Sequence, residues 1–136
     1  MTHPLIQRLV DDHGYPQLDR AGHDDFVGEP GVCTLFFAGD PKRFRDTTDV
    51  AVVLPELDKA FGGVLRPALI AASAERELQD YYGFTAWPAL VFLRDGGWLG
   101  TISGIQNWSE YLEQIGELLQ SETRPLPSVG IPVVGA

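Results

Sequence analysis

The sequence predicts an α/β protein in which helices flank a mixed central β-sheet. Two apolar runs without alternation, residues 32–37 and 65–71, are typical of strands covered on both faces. Helical patterns separate these runs, and a crossover through a helix favours parallel pairing. Residues 89–93 and 98–103 instead flank Asp95-Gly96-Gly97, a turn typical of an antiparallel hairpin. Together the two kinds of pairing indicate a mixed-sheet sandwich.

The elements are predicted in order from apolar spacing and from flanking proline, glycine and capping residues. Two prolines conflict with this simple reading. Pro55 lies inside an apolar helical stripe, so we expect that helix to be kinked there or to begin near Leu54. Pro67 suits a strand start better than a strand interior. In chain order we predict helix 4–12, short strand 15–18, helical turn 24–27, strand 32–37, an irregular charged segment 42–49, helix 50–61, strand 65–71, helix 73–82 with Ser73 as N-cap and Gly83 as its stop, strands 89–93 and 98–103, and helix 108–119 capped by Asn107.

The composition indicates one folded domain followed by a short tail. The chain has 136 residues, of which 44% are hydrophobic, enough for a single core. We predict a domain at residues 1–121 and a proline-rich tail at residues 122–136, either mobile or laid along the body. The net charge of -9 disfavours a nucleic-acid partner. No secretory signal or membrane-spanning stretch is recognised, so we expect a cytoplasmic protein without membrane insertion.

The single cysteine limits the chemistry that this chain can perform. With Cys33 alone, neither an intramolecular disulfide nor a Cys-based zinc site can form. Cys33 lies inside the predicted strand 32–37, where a thiol usually serves as inert packing. His3, His13 and His23 have acidic neighbours, but their ten-residue spacing matches no metal-ligand motif. We therefore expect no metal and no cofactor, and we assign no catalytic residue.

The stretch "YGFTAWPALVFLRDGGWLGTISG", residues 82–104, resembles the thioredoxin fold. In that family a helix ends in Tyr-Gly, a short loop carries a cis-proline, and a strand and a glycine turn follow. The resemblance implies that Pro88, after Trp87, is the cis-proline, and that its loop lines a groove for an extended peptide. It also places the family's Cys-X-X-Cys pair at residues 38–45. Those residues contain no cysteine, so thioredoxin-type oxidoreduction is excluded.

A narrower similarity covers about residues 4–120. "DPKRFRDTTDVAVVLPEL", residues 40–57, and the stretch at residues 84–111 resemble hydrogenase-expression accessory proteins of the HyaE/HupG type. These are thioredoxin-like proteins that lack the cysteine pair. The resemblance implies a non-catalytic chaperone for a nickel–iron uptake hydrogenase, one that binds the small-subunit precursor and its twin-arginine signal peptide. Other hydrogenase accessory proteins are further candidate partners.

The expected binding groove lies between the segment that replaces the cysteine pair and the proline loop. Nearby acidic residues suit a cationic export signal, whereas Lys42, Arg43 and Arg45 oppose it locally. These cations are more simply interpreted as a solvated loop. Trp87 is an interface candidate if it is exposed, because aromatic residues anchor interfaces, while we expect Trp98 and Trp108 in the core. The predicted protein-binding residues are Asp40, Pro41, Lys42, Arg43, Phe44, Trp87 and Pro88.

Two other hypotheses stay open at this stage. The first is a thioredoxin-like redox protein that acts through the single thiol of Cys33. The second is a structural, self-assembling subunit that uses exposed aromatic residues and the apolar tail at residues 129–134. That tail could equally fold back onto its own domain. The sequence leaves the oligomeric state undetermined.

Overall fold

Five strands form one mixed sheet in the computed structural model, which describes residues 3–127. Across the sheet the strands are β1 (Gln17–Leu18), β3 (Pro67–Ile70), β2 (Val32–Phe37), β4 (Ala89–Arg94) and β5 (Gly97–Ser103). Parallel pairs join β1 to β3 and β3 to β2, while β4 is antiparallel to both β2 and β5. The predicted mixed sheet is therefore confirmed.

Helices cover both faces of this sheet and create two apolar clusters. Successive residues of β2 point to opposite faces, so Phe36 belongs to one cluster and Phe37 to the other. Both faces of β2 are therefore covered, as its continuous apolar sequence predicts. The first cluster packs against α1 (Pro4–Asp11), α3 (Asp46–Ala60) and α5 (Trp108–Gln120), and the second packs against α2 (Arg20–Val27) and α4 (Ala72–Tyr82).

Helix α3 begins earlier than the sequence predicts. The expectation of an irregular segment up to Asp49, and of a start near Leu54, is wrong, because the helix already begins at Asp46 and continues past Pro55. Thr47 is buried in the first turn, and its hydroxyl donates to the carbonyl of Ala38 at 2.5 Å. Acidic residues in that turn also suit the helix dipole. Burial of Pro55 against the core outweighs the hydrogen bond that a proline removes.

The ends of α4 and α5 test the predicted caps. Ser73 is not the N-cap of α4, because Ala71 takes that position in an extended conformation and makes no side-chain cap bond. Gly83 ends α4 in the left-handed conformation, as predicted. Asn107 and Glu110 form a capping box at the start of α5, which confirms the predicted cap.

The two tryptophans that we expected in the core have different outcomes. The side chain of Trp108 is 46% exposed, so the core prediction is wrong. Trp108 is the first residue of α5, whose buried residues are Tyr111 and Ile115. Helical periodicity identifies the apolar face of a helix but does not show how far along the helix that face is buried by the rest of the protein. Trp98 is half-buried against the second cluster, with the Arg124 guanidinium 4.7 Å from its ring centroid.

The first part of the predicted tail lies along β5. The backbone N–H of Arg124 donates to the carbonyl of Trp98 at 2.7 Å, and its guanidinium donates to the carbonyl of Leu99 at 2.9 Å. Gly97 permits this close approach, because a Cβ there would lie 2.6 Å from the Thr123 side chain. Residues 129–134 lie outside the described residues, and the boundary at residue 121 stays a prediction.

A buried histidine ties α2 to α4. The side chain of His23 is almost fully buried, with its Nε2 2.6 Å from the hydroxyl of Tyr82 and its Nδ1 2.8 Å from the carboxylate of Asp24. These distances fit the tautomer in which Nδ1–H donates to Asp24 and Nε2 accepts from Tyr82. Burial lowers the pKa of His23, and the hydrogen bond to Asp24 offsets part of that effect.

We predict that the protein loses stability on acidification through His23. The imidazole is neutral in the folded state, whereas the unfolded chain takes up a proton near the ordinary pKa of 6.5. Stability is therefore complete above that pH and is lost as the pH falls toward the lowered folded-state pKa. Urea midpoints measured between about pH 7.5 and about pH 5 should decrease less in His23→Gln than in the exposed-residue control His13→Gln. Equal slopes in the two variants would contradict this assignment.

Candidate functional site

The site begins where the chain leaves the carboxyl end of β2. Gly39 adopts a left-handed conformation with φ at 69° and starts a tight turn. The carbonyl of Asp40 accepts the N–H of Phe44 at 2.8 Å, while its carboxylate accepts the N–H of Lys42 at 3.0 Å. The resemblance to the thioredoxin fold assigns the family's cysteine pair to residues 38–45, which include this turn and contain no cysteine. Asp40 therefore uses one carboxylate oxygen to order its own loop.

The two predicted segments meet through a pair of aromatic rings. The Phe44 ring stacks on the Trp87 ring, with centroids 6.0 Å apart and an interplanar angle of 23°. Both side chains are half-buried, so each leaves part of its ring accessible. The Trp87–Pro88 peptide bond is cis, as the resemblance implied. The inner edge of Trp87 packs on Phe84, with centroids 5.1 Å apart.

Gly39 allows these rings to lie directly against the backbone. A Cβ built at this position would be 2.8 Å from Cδ2 of Phe44 and 3.1 Å from Cε3 of Trp87. Contacts that short require a neighbour to move, and both neighbours are rigid rings packed on each other. A side chain at residue 39 would therefore separate the stack from the turn.

An open cleft of about 460 Å³ lies beside the aromatic pair. Phe44, Trp87 and Arg43 line one side of it, and the first turns of α4 line the other. Sequence reasoning missed the α4 side. The available signal was topological, because the carboxyl ends of parallel strands β2 and β3 meet at one edge and α4 follows β3 directly. The missed residues are Ala72, Glu75, Arg76 and Gln79.

Glu75 connects α4 to the turn after β2. Its Oε2 accepts the N–H of Gly39 at 2.9 Å, and the side chain is only partly accessible. Burial raises the pKa of Glu75, although hydrogen bonds from the Gly39 and Ala38 backbone oppose that rise. Burial thus opposes ionisation of Glu75, while the backbone hydrogen bonds favour it.

A second, smaller cavity of about 230 Å³ lies on the other side of Glu75. It is partly open and is lined by the start of α1, Gln17 of β1, the carboxyl end of β3 and residues 38–41. Asp40 and Pro41 line this cavity, and Asp40 and Glu75 line both the cavity and the cleft. The predicted site therefore has two connected parts.

The predicted binding residues do not all face these two spaces. Arg43, Phe44 and Trp87 line the cleft, Pro41 lines the cavity, and Asp40 lines both. Lys42 is exposed and borders neither space, and Pro88 is buried beneath the loop. The guanidinium of Arg43 lies 5.3 Å from the Phe44 ring centroid, at the outer surface of the stack. Whether these residues bind a protein stays a prediction.

Cys33 lies far along β2 from this site. It is the second residue of the strand, opposite Leu93 of β4, whereas the cleft lies beyond the other end of β2. The thiol is 1% exposed, and burial raises its pKa to about 11. A thiol in this state is a poor nucleophile, because the thiolate is the reactive form.

The part of the chain that the structure describes is residues 3–127. Within that range no three His, Cys, Asp or Glu side chains are grouped closely enough to hold a metal ion. Over the same range, no helix has both the length and the apolar character needed to cross a bilayer.

Comparisons with known proteins agree with this architecture. A family model described as "Hydrogenase-1 expression protein HyaE" matches residues 5–111. The hydrogenase expression/formation protein HoxO of Azotobacter vinelandii is 51% identical over 96% of this chain and 88% of its own length. The corresponding HupG of Bradyrhizobium diazoefficiens is 43% identical over 90% of this chain and 85% of its own.

Two solved structures are also similar. A crystal structure of a HupG hydrogenase expression/formation protein from Rhodopseudomonas palustris has 45% identity and a TM-score of 0.55, covering 76% of this chain and 94% of that one. Plasmodium falciparum thioredoxin has 14% identity and a TM-score of 0.61, covering 75% of this chain and 96% of that one. At that identity the second match concerns the fold alone, and it confirms the thioredoxin-like architecture.

We predict that Gly39→Ala destabilises the protein more than Gly104→Ala does. Both glycines have positive φ, so each substitution carries a backbone cost of roughly 1–2 kcal/mol. A Cβ at Gly104 meets nothing within 4 Å, whereas at Gly39 it meets the aromatic pair. Overpacking should add about 1–3 kcal/mol at Gly39, as measured by urea unfolding. Equal losses would show that the rings do not constrain the turn.

We also predict that Cys33 is labelled by iodoacetamide only when the chain unfolds. A rise in pKa from 9.0 to about 11 lowers the thiolate fraction roughly a hundredfold at neutral pH, and burial restricts access further. Mass spectrometry of the native protein should therefore show labelling at least about a hundredfold slower than in denaturant. Similar rates in both conditions would restore the single-thiol redox hypothesis.

Proposed function

Because the chain belongs to the HyaE family of hydrogenase expression proteins, we propose that it is a cytoplasmic, non-catalytic chaperone for the hydrogenase small-subunit precursor. Family membership supports a role in hydrogenase maturation. In the proposed complex, the cleft beside the aromatic pair holds a segment of the precursor at its twin-arginine signal peptide. The observation that carries this proposal is the half-buried Phe44–Trp87 pair, which joins the segment that the resemblance assigns to the cysteine pair to the cis-proline loop.

The aromatic pair has the properties of a binding anchor. Phe44 and Trp87 are held in place by each other and by the core behind them, so little side-chain entropy remains to be lost on binding. Rigid aromatic side chains contribute strongly at protein interfaces. The cleft is open and has the size of a typical ligand site, about 300–1,000 Å³. An extended peptide fits this geometry better than a large flat surface does.

The adjoining loop extends the accessible apolar surface. The N–H of Gly104 donates to the carbonyl of Pro88 at 2.8 Å, which joins the start of the β5–α5 connection to the proline loop. Ile105 on that connection and Trp108 at the start of α5 are 37% and 46% exposed. These two residues therefore supply accessible apolar surface on the element that the proline loop contacts. This arrangement supports a protein ligand rather than a small molecule.

Electrostatics favour a cationic partner at long range. The net charge of -9 attracts a positively charged segment and increases its rate of encounter. At the cleft itself the charges are mixed, because Arg43 and Arg76 face it together with Asp40 and Glu75. Mixed charges of this kind can fix the position of a bound peptide. Each charge of the peptide is attracted by the opposite charge in the cleft and repelled by the like charge.

The position of the thiol supports binding without redox chemistry. Residues 38–45 supply no cysteine to the cleft, and Cys33 is enclosed near the other end of β2. Oxidation or reduction of a partner disulfide requires direct contact between sulfur atoms. The cleft therefore carries no thiol that could exchange with a disulfide of the partner, which supports a binding role.

Co-purification tests this proposal, with the small-subunit precursor prepared with and without its signal peptide. Phe44→Ala and Trp87→Ala should each weaken binding at least about tenfold, because each removes an interface anchor. Val64→Ser is the matched control, since Val64 is 52% exposed and precedes β3 at the end of the sheet opposite the cleft. Circular dichroism should show that all variants are folded.

The outcomes separate the parts of the proposal. If the wild-type protein never associates with the precursor, the chaperone assignment is wrong. If it binds equally well after removal of the signal peptide, another part of the precursor is the ligand. If Val64→Ser weakens binding while the two aromatic variants do not, the cleft is not the binding site.

A further inference from the structure

The smaller cavity, hereafter the Glu75 cavity, has walls suited to an aliphatic chain. Ile6 of α1, Leu69 and Ile70 of β3, and Pro41 surround about 230 Å³ of space. The cavity adjoins the cleft, because Gly39, Asp40 and Glu75 line both. A segment lying in the cleft can therefore direct one side chain into the cavity.

Two carboxylates, those of Glu75 and Asp40, line the Glu75 cavity. His3 lines it as well, with its Nδ1 accepting a backbone N–H of α1, and no lysine or arginine does so among the residues that the structure describes. Every ion pair found within residues 3–127 involves other carboxylates. The partners of Glu75 there are the backbone amides of Gly39 and Ala38, which carry no net charge. A partly buried carboxylate of this kind gains from a cationic partner.

We propose that the Glu75 cavity receives one arginine side chain of the bound precursor segment, and that Glu75 pairs with its guanidinium. This inference rests on the proposed function, since the segment in the cleft supplies the arginine. The methylene groups of the arginine contact the apolar walls, while the guanidinium reaches the carboxylate. Arg43 and Arg76 line the cleft but not the cavity, so neither occupies this position.

Arginine fits this cavity better than other side chains. A guanidinium is more weakly hydrated than an ammonium and presents several N–H donors, which suits a partly buried carboxylate. An apolar or acidic side chain would leave Glu75 desolvated without a counter-charge. A bound guanidinium would also counteract the rise in the pKa of Glu75 that burial causes.

A double-mutant cycle tests the pairing. Isothermal titration calorimetry would measure the affinity of the signal peptide, with each arginine in turn replaced by glutamine, for the wild-type protein and for Glu75→Gln. Glutamine keeps the size of the side chain and an oxygen that can accept the Gly39 N–H. We expect the native peptide to bind Glu75→Gln about tenfold more weakly than it binds the wild-type protein. The peptide that lacks the paired arginine should bind both proteins with equal affinity.

Glu113→Gln serves as the control for net charge, because Glu113 is an exposed residue of α5. If Glu75→Gln binds every peptide as tightly as Glu113→Gln does, while Trp87→Ala still weakens binding, the arginine cavity is refuted and the proposed function stands. If instead each arginine replacement in the peptide lowers its affinity for the wild-type protein and for Glu75→Gln by the same factor, the pairing with Glu75 is refuted as well.

A separate probe keeps the inference testable if the wild-type protein does not bind the precursor, in which case the proposed function itself fails. N-acetyl-arginine amide would then be titrated to millimolar concentration and followed by NMR. A shift of the Gly39 amide in the wild-type protein that is absent from Glu75→Gln supports the cavity as an arginine site. Equal shifts in both proteins, or no shift in either, overturn it.

Discussion

The candidate site depends on the close contact between the Gly39 backbone and the stacked rings of Phe44 and Trp87. Two segments distant in sequence meet there, because β2 and β4 are neighbouring antiparallel strands: one ends beside the cleft and the other begins there. The stack shapes one side of the cleft, and the same glycine amide holds Glu75 on the other. One residue without a side chain thus determines the spacing between the two walls.

The sequence predicts the fold well because its signals are local. Continuous apolar residues at 32–37, the Asp95-Gly96 turn and the Asn107 cap each act through their immediate neighbours. The early start of α3 could not be predicted, because the Thr47 hydroxyl bonds to the carbonyl of Ala38, which lies just past the end of β2. The exposure of Trp108 could not be predicted for a related reason. Periodicity identifies the apolar face of a helix, but the length of that face that is buried depends on the packing of the other elements.

The distinction between local signals and contacts made by the tertiary fold also applies to the candidate site. Asp40–Phe44 and Trp87 were found through resemblance to the thioredoxin fold, and the structure brings them together. Glu75 was missed because its position depends on where β3 ends relative to β2, which is a property of the sheet. Its partly buried carboxylate links α4 to the turn after β2 through the Gly39 amide. The turn and the aromatic pair therefore border an open cleft, and the turn carries no thiol.

The proposed function requires the precursor to bind in the cleft between the aromatic pair and α4. NMR mapping tests this binding most directly, with isotopically labelled protein titrated with unlabelled precursor signal peptide. We expect the largest amide shifts at residues 39–44, at residues 75–79 and at Trp87. Shifts confined to the edge of β5 where Arg124 lies, with Gly39 and Trp87 unchanged, would contradict it.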